Sequence, residues 1–166
     1  MIKDVRPTTN RALLALFSIL GNIEGKKFLD LFAGTGQVGR EALKRGAEEC
    51  VFVESVKSRA ENIREKVKDS IVLSLDIRRA ISWLVKREMT FDIIFADPPY
   101  NSGWCEELLT LSNFDKVFAT DSVFVFEHSV REELSPPDNF EIISEREYGQ
   151  TCLTFLQNKT SRMESI

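Results

Sequence analysis

From Pro7 onward, apolar residues recur first at helical spacing and then in an alternation of strands and helices. Thr8, Thr9 and Asn10 supply side-chain acceptors suited to a helix start, and Ala12, Leu13, Leu16, Phe17 and Leu20 follow at helical intervals. Gly21 and Asn22 end that helix. Strands are predicted at Lys26–Ala33, Cys50–Glu54, Ile71–Leu75, Phe91–Ala96 and Ser122–Glu127. Between them the spacing predicts helices at Gln37–Arg45 (closed by Gly46), Val56–Lys68, Ile77–Arg87 and Cys105–Leu111. After Pro136-Pro137 the rhythm changes. Phe140–Tyr148 and Thr151–Leu156 read as two strands joined at Gly149-Gln150, a hairpin. Strands alternating with helices imply an α/β fold with a parallel, doubly wound sheet, and the hairpin adds an antiparallel edge.

Length fits one domain over residues 1–166, with an N-terminal helical element at 1–22 and a sheet core at 26–157. The apolar runs are strand-length, so no membrane-spanning helix is expected. The first residues lack the apolar stretch of a signal peptide, and the three cysteines are widely spaced. Both features point to a reducing cytoplasm and away from disulfides and zinc, so the Asn158-Lys159-Thr160 sequon carries no meaning. With one histidine, His128, a histidine-based metal cluster or a Ser-His-Asp triad is not expected. His128 itself reads as a plain loop or surface residue. The net charge of −4 argues against a large nucleic-acid footprint, although Lys3, Arg6 and Arg11 make a small basic set.

The strand at Phe91–Ala96 runs straight into Asp97-Pro98-Pro99-Tyr100. Asp97 and Pro98 each precede a proline and are pushed toward extended geometry. The two prolines have fixed φ and no N–H. The result is a rigid group of hydrogen-bond acceptors beside an aromatic ring, suited to a nucleobase with an exocyclic amine. Gly34-Thr35-Gly36-Gln37-Val38-Gly39 matches G-x-G-x-x-G after the first strand of the sheet, and Glu54 lies twenty residues beyond Gly34. By spacing alone this is a dinucleotide-binding pattern, with the acid on a ribose diol. Asp30, inside that strand, separates the candidates: a pyrophosphate turn has no use for a carboxylate there, whereas the cationic S-adenosylmethionine does. Asp76 ends the third strand of the sheet, where it would accept from an adenine amine while Ile77 packs on the ring. Each acid also has a plain structural use: Asp30 as a buried cap on backbone N–H groups, Glu54 as a strand-end cap and Asp76 as a helix N-cap.

Together these residues resemble the Rossmann-like class I S-adenosylmethionine-dependent methyltransferases. More closely, the chain resembles the bacterial RsmD-type family, which methylates the N2 amine of a guanine in 16S ribosomal RNA. The matching stretches are Val5–Arg11, Leu29–Gly36, Val53-Glu54 and Ala96–Tyr100. The resemblance implies a mostly parallel seven-stranded sheet with helices on both faces. It implies that Asp30, Gly34, Thr35, Gly36, Glu54, Asp76 and Ile77 hold S-adenosylmethionine, with Arg6 and Thr8 closing over its methionine end. Asp97, Pro98 and Tyr100 would hold the target base, and the partner would be 16S rRNA or a small-subunit particle. The family usually opens with an N-terminal hairpin rich in Gly and Arg, which this chain is expected to lack. Three other readings remain: an N6-adenine or N4-cytosine DNA methyltransferase, a non-catalytic S-adenosylmethionine-binding module and an NAD-binding oxidoreductase.

Overall fold

The computed structural model describes residues 9–160. Among these, helix α1 (Asn10–Leu20) precedes a sheet built from β1 (Lys27–Leu31), β2 (Glu49–Val53), β3 (Ile71–Leu73), β4 (Phe91–Ala96), β5 (Phe118–Ser129), β6 (Phe140–Tyr148) and β7 (Thr151–Asn158). The connections carry α2 (Gln37–Lys44), α3 (Lys57–Lys66), α4 (Ile77–Lys86) and α5 (Trp104–Thr110). The strand order is β3-β2-β1-β4-β5-β7-β6. Strands β1 to β5 pair in parallel, while β7 is antiparallel to both β5 and β6. This is the Rossmann-like class I architecture, with the antiparallel hairpin at one edge.

The helix starts follow local chemistry. Thr9 caps α1, its hydroxyl accepting from Ala12 N–H at 3.3 Å. Asp76 caps α4, with Oδ1 accepting from Arg79 N–H at 3.0 Å. The strand expected at Lys26–Ala33 stops at Leu31 because Phe32 turns the chain with φ 56°, a conformation that only a few per cent of non-glycine residues adopt. Strand β5 begins four residues earlier than its apolar run, at Phe118, and a 3₁₀ turn at Phe114–Val117 precedes it. The exposed Thr120 and Asp121 hide that extension from any periodicity, and Asp121 has φ 58°.

Alternation along the strands splits the core in two. Leu29, Leu31, Val51, Val53, Ile94, Phe124 and Phe126 face α4 and α5. Phe28, Cys50, Phe52, Ile93, Phe95 and Val125 face α1, α2 and α3. The chain leaves β1 toward β2 and β3 and then crosses back to β4. The order therefore reverses between β1 and β4, the place where open α/β sheets bind ligands at their strand C-termini.

The approach of α2 to the sheet depends on Gly39. A Cβ there would lie 2.3 Å from Phe52 Cε1 and 2.7 Å from Cys50 Sγ, both on fully buried side chains. Gly39→Ala is expected to destabilise the protein by about 1–3 kcal/mol, since a well-packed core resists overpacking. Urea denaturation would measure this; unchanged stability would contradict the packing argument.

Candidate active site

At the carboxyl ends of the strands lies a cavity of about 740 Å³, within the roughly 300–1,000 Å³ typical of small-molecule sites. Its walls come from five successive strand ends. Gly34 and Thr35 follow β1, Glu54 follows β2, Asp76 and Ile77 follow β3, Asp97 to Tyr100 follow β4, and Glu127 lies in β5.

The glycine turn is held by the acids it was expected to share with a ligand. Gly34 (φ 60°) and Gly36 (φ 77°) occupy left-handed backbone that glycine takes without steric cost. Gly34 N–H donates to Glu54 Oε1 at 2.9 Å, and Val56 N–H donates to Glu54 Oε2 at 2.8 Å. Glu54 thus ties the turn after β1 to the turn after β2 while still lining the cavity. Its structural and its ligand-facing roles coincide. Asp30 Oδ2 accepts from Gly39 N–H at 3.0 Å, beneath the start of α2. Gly36 does not line the cavity; it supplies the turn geometry into α2.

The second wall is the segment after β4. Pro98 is buried, Pro99 is exposed, and Asp97 and Tyr100 lie between these extremes. The Pro99 carbonyl accepts from Ser102 Oγ at 2.6 Å. Asn101, with φ 56°, donates its N–H to Glu132 Oε1 at 2.6 Å. Tyr100 Oη meets Thr151 Oγ1 of β7 at 3.0 Å, so the C-terminal hairpin fixes the ring. Burial and the nearby Glu132 push the Cys105 thiol, which lies 3.6 Å from Glu132 Oε2, up to about 12.

Asp30, Asp97 and Glu127 share one side of the sheet. Leu31 pairs with Ala96 and Ala96 with Phe126, so Asp97 and Glu127 continue neighbouring strands at one level. Alternation then puts both on the face of Phe95, Val125 and Asp30. Burial, opposed by the Gly39 hydrogen bond and reinforced by Glu54, pushes the Asp30 carboxyl up to about 7. Burial, then Glu127, then Asp30 push Asp97 well above the usual carboxylate range.

Of the residues expected to form the site, Asp30, Gly34, Thr35, Glu54, Asp76, Ile77, Asp97, Pro98 and Tyr100 line the cavity together. Arg6 and Thr8 lie outside the described residues. Phe32, Arg59, Trp104 and Glu127 also line it and were not anticipated. Phe32 and Trp104 meet edge to face with centroids 5.4 Å apart. Glu127 was legible as an acid closing an apolar strand in the same alternation as Asp97. The expectation for His128 is corrected. It is buried within β5, with Nε2 2.7 Å from Thr154 Oγ1 and Nδ1 2.9 Å from the Ser129 carbonyl. Among the described residues no group of three or more His, Cys, Asp or Glu could hold a metal ion, and no helix is long and apolar enough to cross a membrane.

An acid with a native pKa above its unfolded value destabilises the fold as pH rises between the two, because the native state then binds more protons. For Asp30 that window runs from about 4 to about 7. Asp30→Asn keeps an acceptor for Gly39 N–H, so urea denaturation should show the variant gaining on the wild type as pH rises through this window. A pH-independent difference would contradict the assigned environment.

Comparison with known proteins agrees with this geometry. The family described as Conserved hypothetical protein 95 matches residues 1–157. The Bacillus subtilis protein YlbH, provisionally named an rRNA methyltransferase, is 37% identical over 94% of this chain and 89% of its own. Ribosomal RNA small subunit methyltransferase D of Buchnera aphidicola is 30% identical over 87% of this chain and 78% of its own. The solved structure of the Escherichia coli protein yhhF, provisionally named a methyltransferase, superposes with a TM-score of 0.80 at 26% identity, covering 96% of this chain and 90% of its own. The chain belongs to the Conserved hypothetical protein 95 family, the RsmD-type methyltransferases.

Proposed function

We propose that this protein methylates an exocyclic amine of a nucleobase, N2 of a guanine in 16S ribosomal RNA, using S-adenosylmethionine. One observation carries the reading: the acid-lined glycine turn and the segment Asp97-Pro98-Pro99-Tyr100 open into the same cavity. The choice of ribosomal RNA is supported by the names of YlbH and of the Buchnera relative.

The cavity fits the donor chemically. Acids at Asp30, Glu54 and Asp76 surround a space with apolar walls from Val53, Leu75 and Ile77. That combination suits a cation joined to a flat ring and a ribose. In this reading Asp30, Gly34, Thr35, Glu54, Asp76 and Ile77 hold the ligand, Gly36 shapes the turn that presents them, and Arg6 and Thr8 act at the methionine end. Bound there, S-adenosylmethionine supplies an electrophilic methyl group on a positively charged sulfur. A buried carboxylate under the turn disfavours a pyrophosphate, and with it the NAD reading.

The amine of guanine conjugates with its ring and is a weak nucleophile. Its two N–H groups donate to the Asp97 carboxylate and the Pro98 carbonyl, which favours a tetrahedral nitrogen with its lone pair aimed at the methyl carbon. As the nitrogen gains positive charge, Asp97 stabilises it, an effect of about 3 kcal/mol by analogy with oxyanion-hole donors. Holding both reactants in line supplies much of the remainder. The methylated nitrogen is strongly acidic and loses its proton to water without a dedicated base. Tyr100, anchored by Thr151, stacks on the base, a contact worth roughly 1–3 kcal/mol. Asp97 acts in its ionised form, and its raised pKa places that form toward higher pH.

Asp97→Ala should reduce kcat by about 10²–10³-fold, the scale of removing one preorganised charge-stabilising group. Donor affinity measured by calorimetry should stay within about threefold. Full activity would contradict the role given to Asp97.

The substrate assignment is tested by incubating the protein with S-adenosylmethionine and small-subunit RNA from a strain lacking its gene. Nucleoside mass spectrometry should then show N2-methylguanosine. Methylation of adenine or cytosine in DNA instead would overturn it.

A further inference from the structure

We infer that the outer face of α4 is a docking surface for the phosphodiester backbone of the substrate RNA. The inference rests on the RNA-methylating reading and adds where the RNA lies. The segment Ile77–Arg87 contains four cations and no acid, in a chain whose net charge is −4. Arg79, Ser82, Trp83 and Lys86 fall at helical intervals of three and four, so they form one stripe. Arg78 and Arg87 flank it, and these six residues line a shallow hollow to which no acidic side chain contributes.

The charge is not explained by helix stability alone. Lys86 and Arg87 sit at the C-terminal end of α4, where cations complement the helix dipole. Arg78 and Arg79 sit in the first turn, where the dipole repels them and where the capping Asp76 and Glu107 of α5 are their acidic neighbours. Both guanidinium groups stay largely exposed beside these partners, which leaves them open to a ligand that carries negative charge.

Two of the cations are already oriented. The Arg87 guanidinium lies 3.7 Å from the centroid of the Trp83 ring and donates to the Trp83 carbonyl at 3.1 Å. Arg78 stacks on Trp104, a cavity residue, at 5.2 Å and pairs with Glu107. Arg79 reaches outward with a side chain 78% exposed, its Nε 3.7 Å from Asp76. Because Asp76 and Ile77 line the cavity, the stripe begins at its rim. It then runs about 13 Å away at 1.5 Å per residue. A strand delivering its base to Tyr100 can thus lay its flanking phosphates along α4.

The test removes two cations at the far end of the stripe, Lys86→Ala with Arg87→Ala. The control, Lys66→Ala with Lys68→Ala, removes the same charge from the α3 region on the opposite face of the sheet. RNA affinity is measured against salt, with steady-state methylation of the same RNA and calorimetric binding of S-adenosylmethionine. Losing two phosphate contacts should make the slope of log K against log salt shallower by about 1.5 and raise KM for RNA about tenfold. In that variant kcat and donor affinity should stay within twofold, and the control pair should behave as wild type. An unchanged slope and KM in the α4 variant, with an active wild type, would overturn this surface while leaving the enzymatic reading intact. Equal losses in the control pair would overturn it too, by showing only a general charge effect. Weakened binding to the particle with unchanged binding to protein-free RNA would assign the face to an acidic protein instead. A wild type that neither binds nor methylates RNA would defeat the reading itself, and this inference with it.

Discussion

Burial of the Asp30 and Asp97 carboxyls on one side of the sheet is the constraint on which the rest of this structure turns. Burial disfavours the charged forms of both, with Glu54 adding to the cost at Asp30 and Glu127 and Asp30 adding to it at Asp97. The Gly39 N–H favours ionisation of Asp30, and that hydrogen bond exists because a glycine lets α2 approach the sheet so closely. The fold therefore holds carboxyls whose ionisation is costly, and in the proposed reading a cationic donor offsets that cost.

Two kinds of anchoring keep the arrangement in place. One is local: Glu54 takes two backbone N–H groups and joins the ends of β1 and β2. The other is remote in sequence: Thr151 of β7 fixes the Tyr100 hydroxyl, and Glu132 fixes the Asn101 N–H. The C-terminal hairpin is thus part of the site and not only an edge to the sheet. Asp97-Pro98-Pro99-Tyr100 is stiff by itself because of its prolines, but its direction depends on residues thirty to fifty positions away.

Much of this was legible in the sequence because it depends on periodicity and on local rules. The strand and helix alternation, the glycine turn and the caps at Thr9 and Asp76 all follow from spacing and side-chain type. The cavity residues after β1 to β4 were found by the same route. Glu127 closes an apolar run, and it comes beside Asp97 only through the register of β4 with β5, which no local pattern encodes. Phe32 and Trp104 were missed because aromatic residues near apolar strands ordinarily belong to the core. The early start of β5 was hidden by exposed Thr120 and Asp121, and His128 by its following a strand that in fact continues through it. Pairings such as Tyr100 with Thr151 depend on which strands become neighbours, and no local pattern encodes that.

The central claim is that a cationic donor favours the ionised forms of Asp30 and Asp97, whose carboxyls burial holds above the usual range. Calorimetry of S-adenosylmethionine binding near pH 7, in buffers of different ionisation enthalpy, counts the protons exchanged on binding. With Asp30 near half-protonation at that pH, net proton release is predicted, and it should diminish in Asp30→Asn. Binding without proton exchange, or with uptake, would contradict the account.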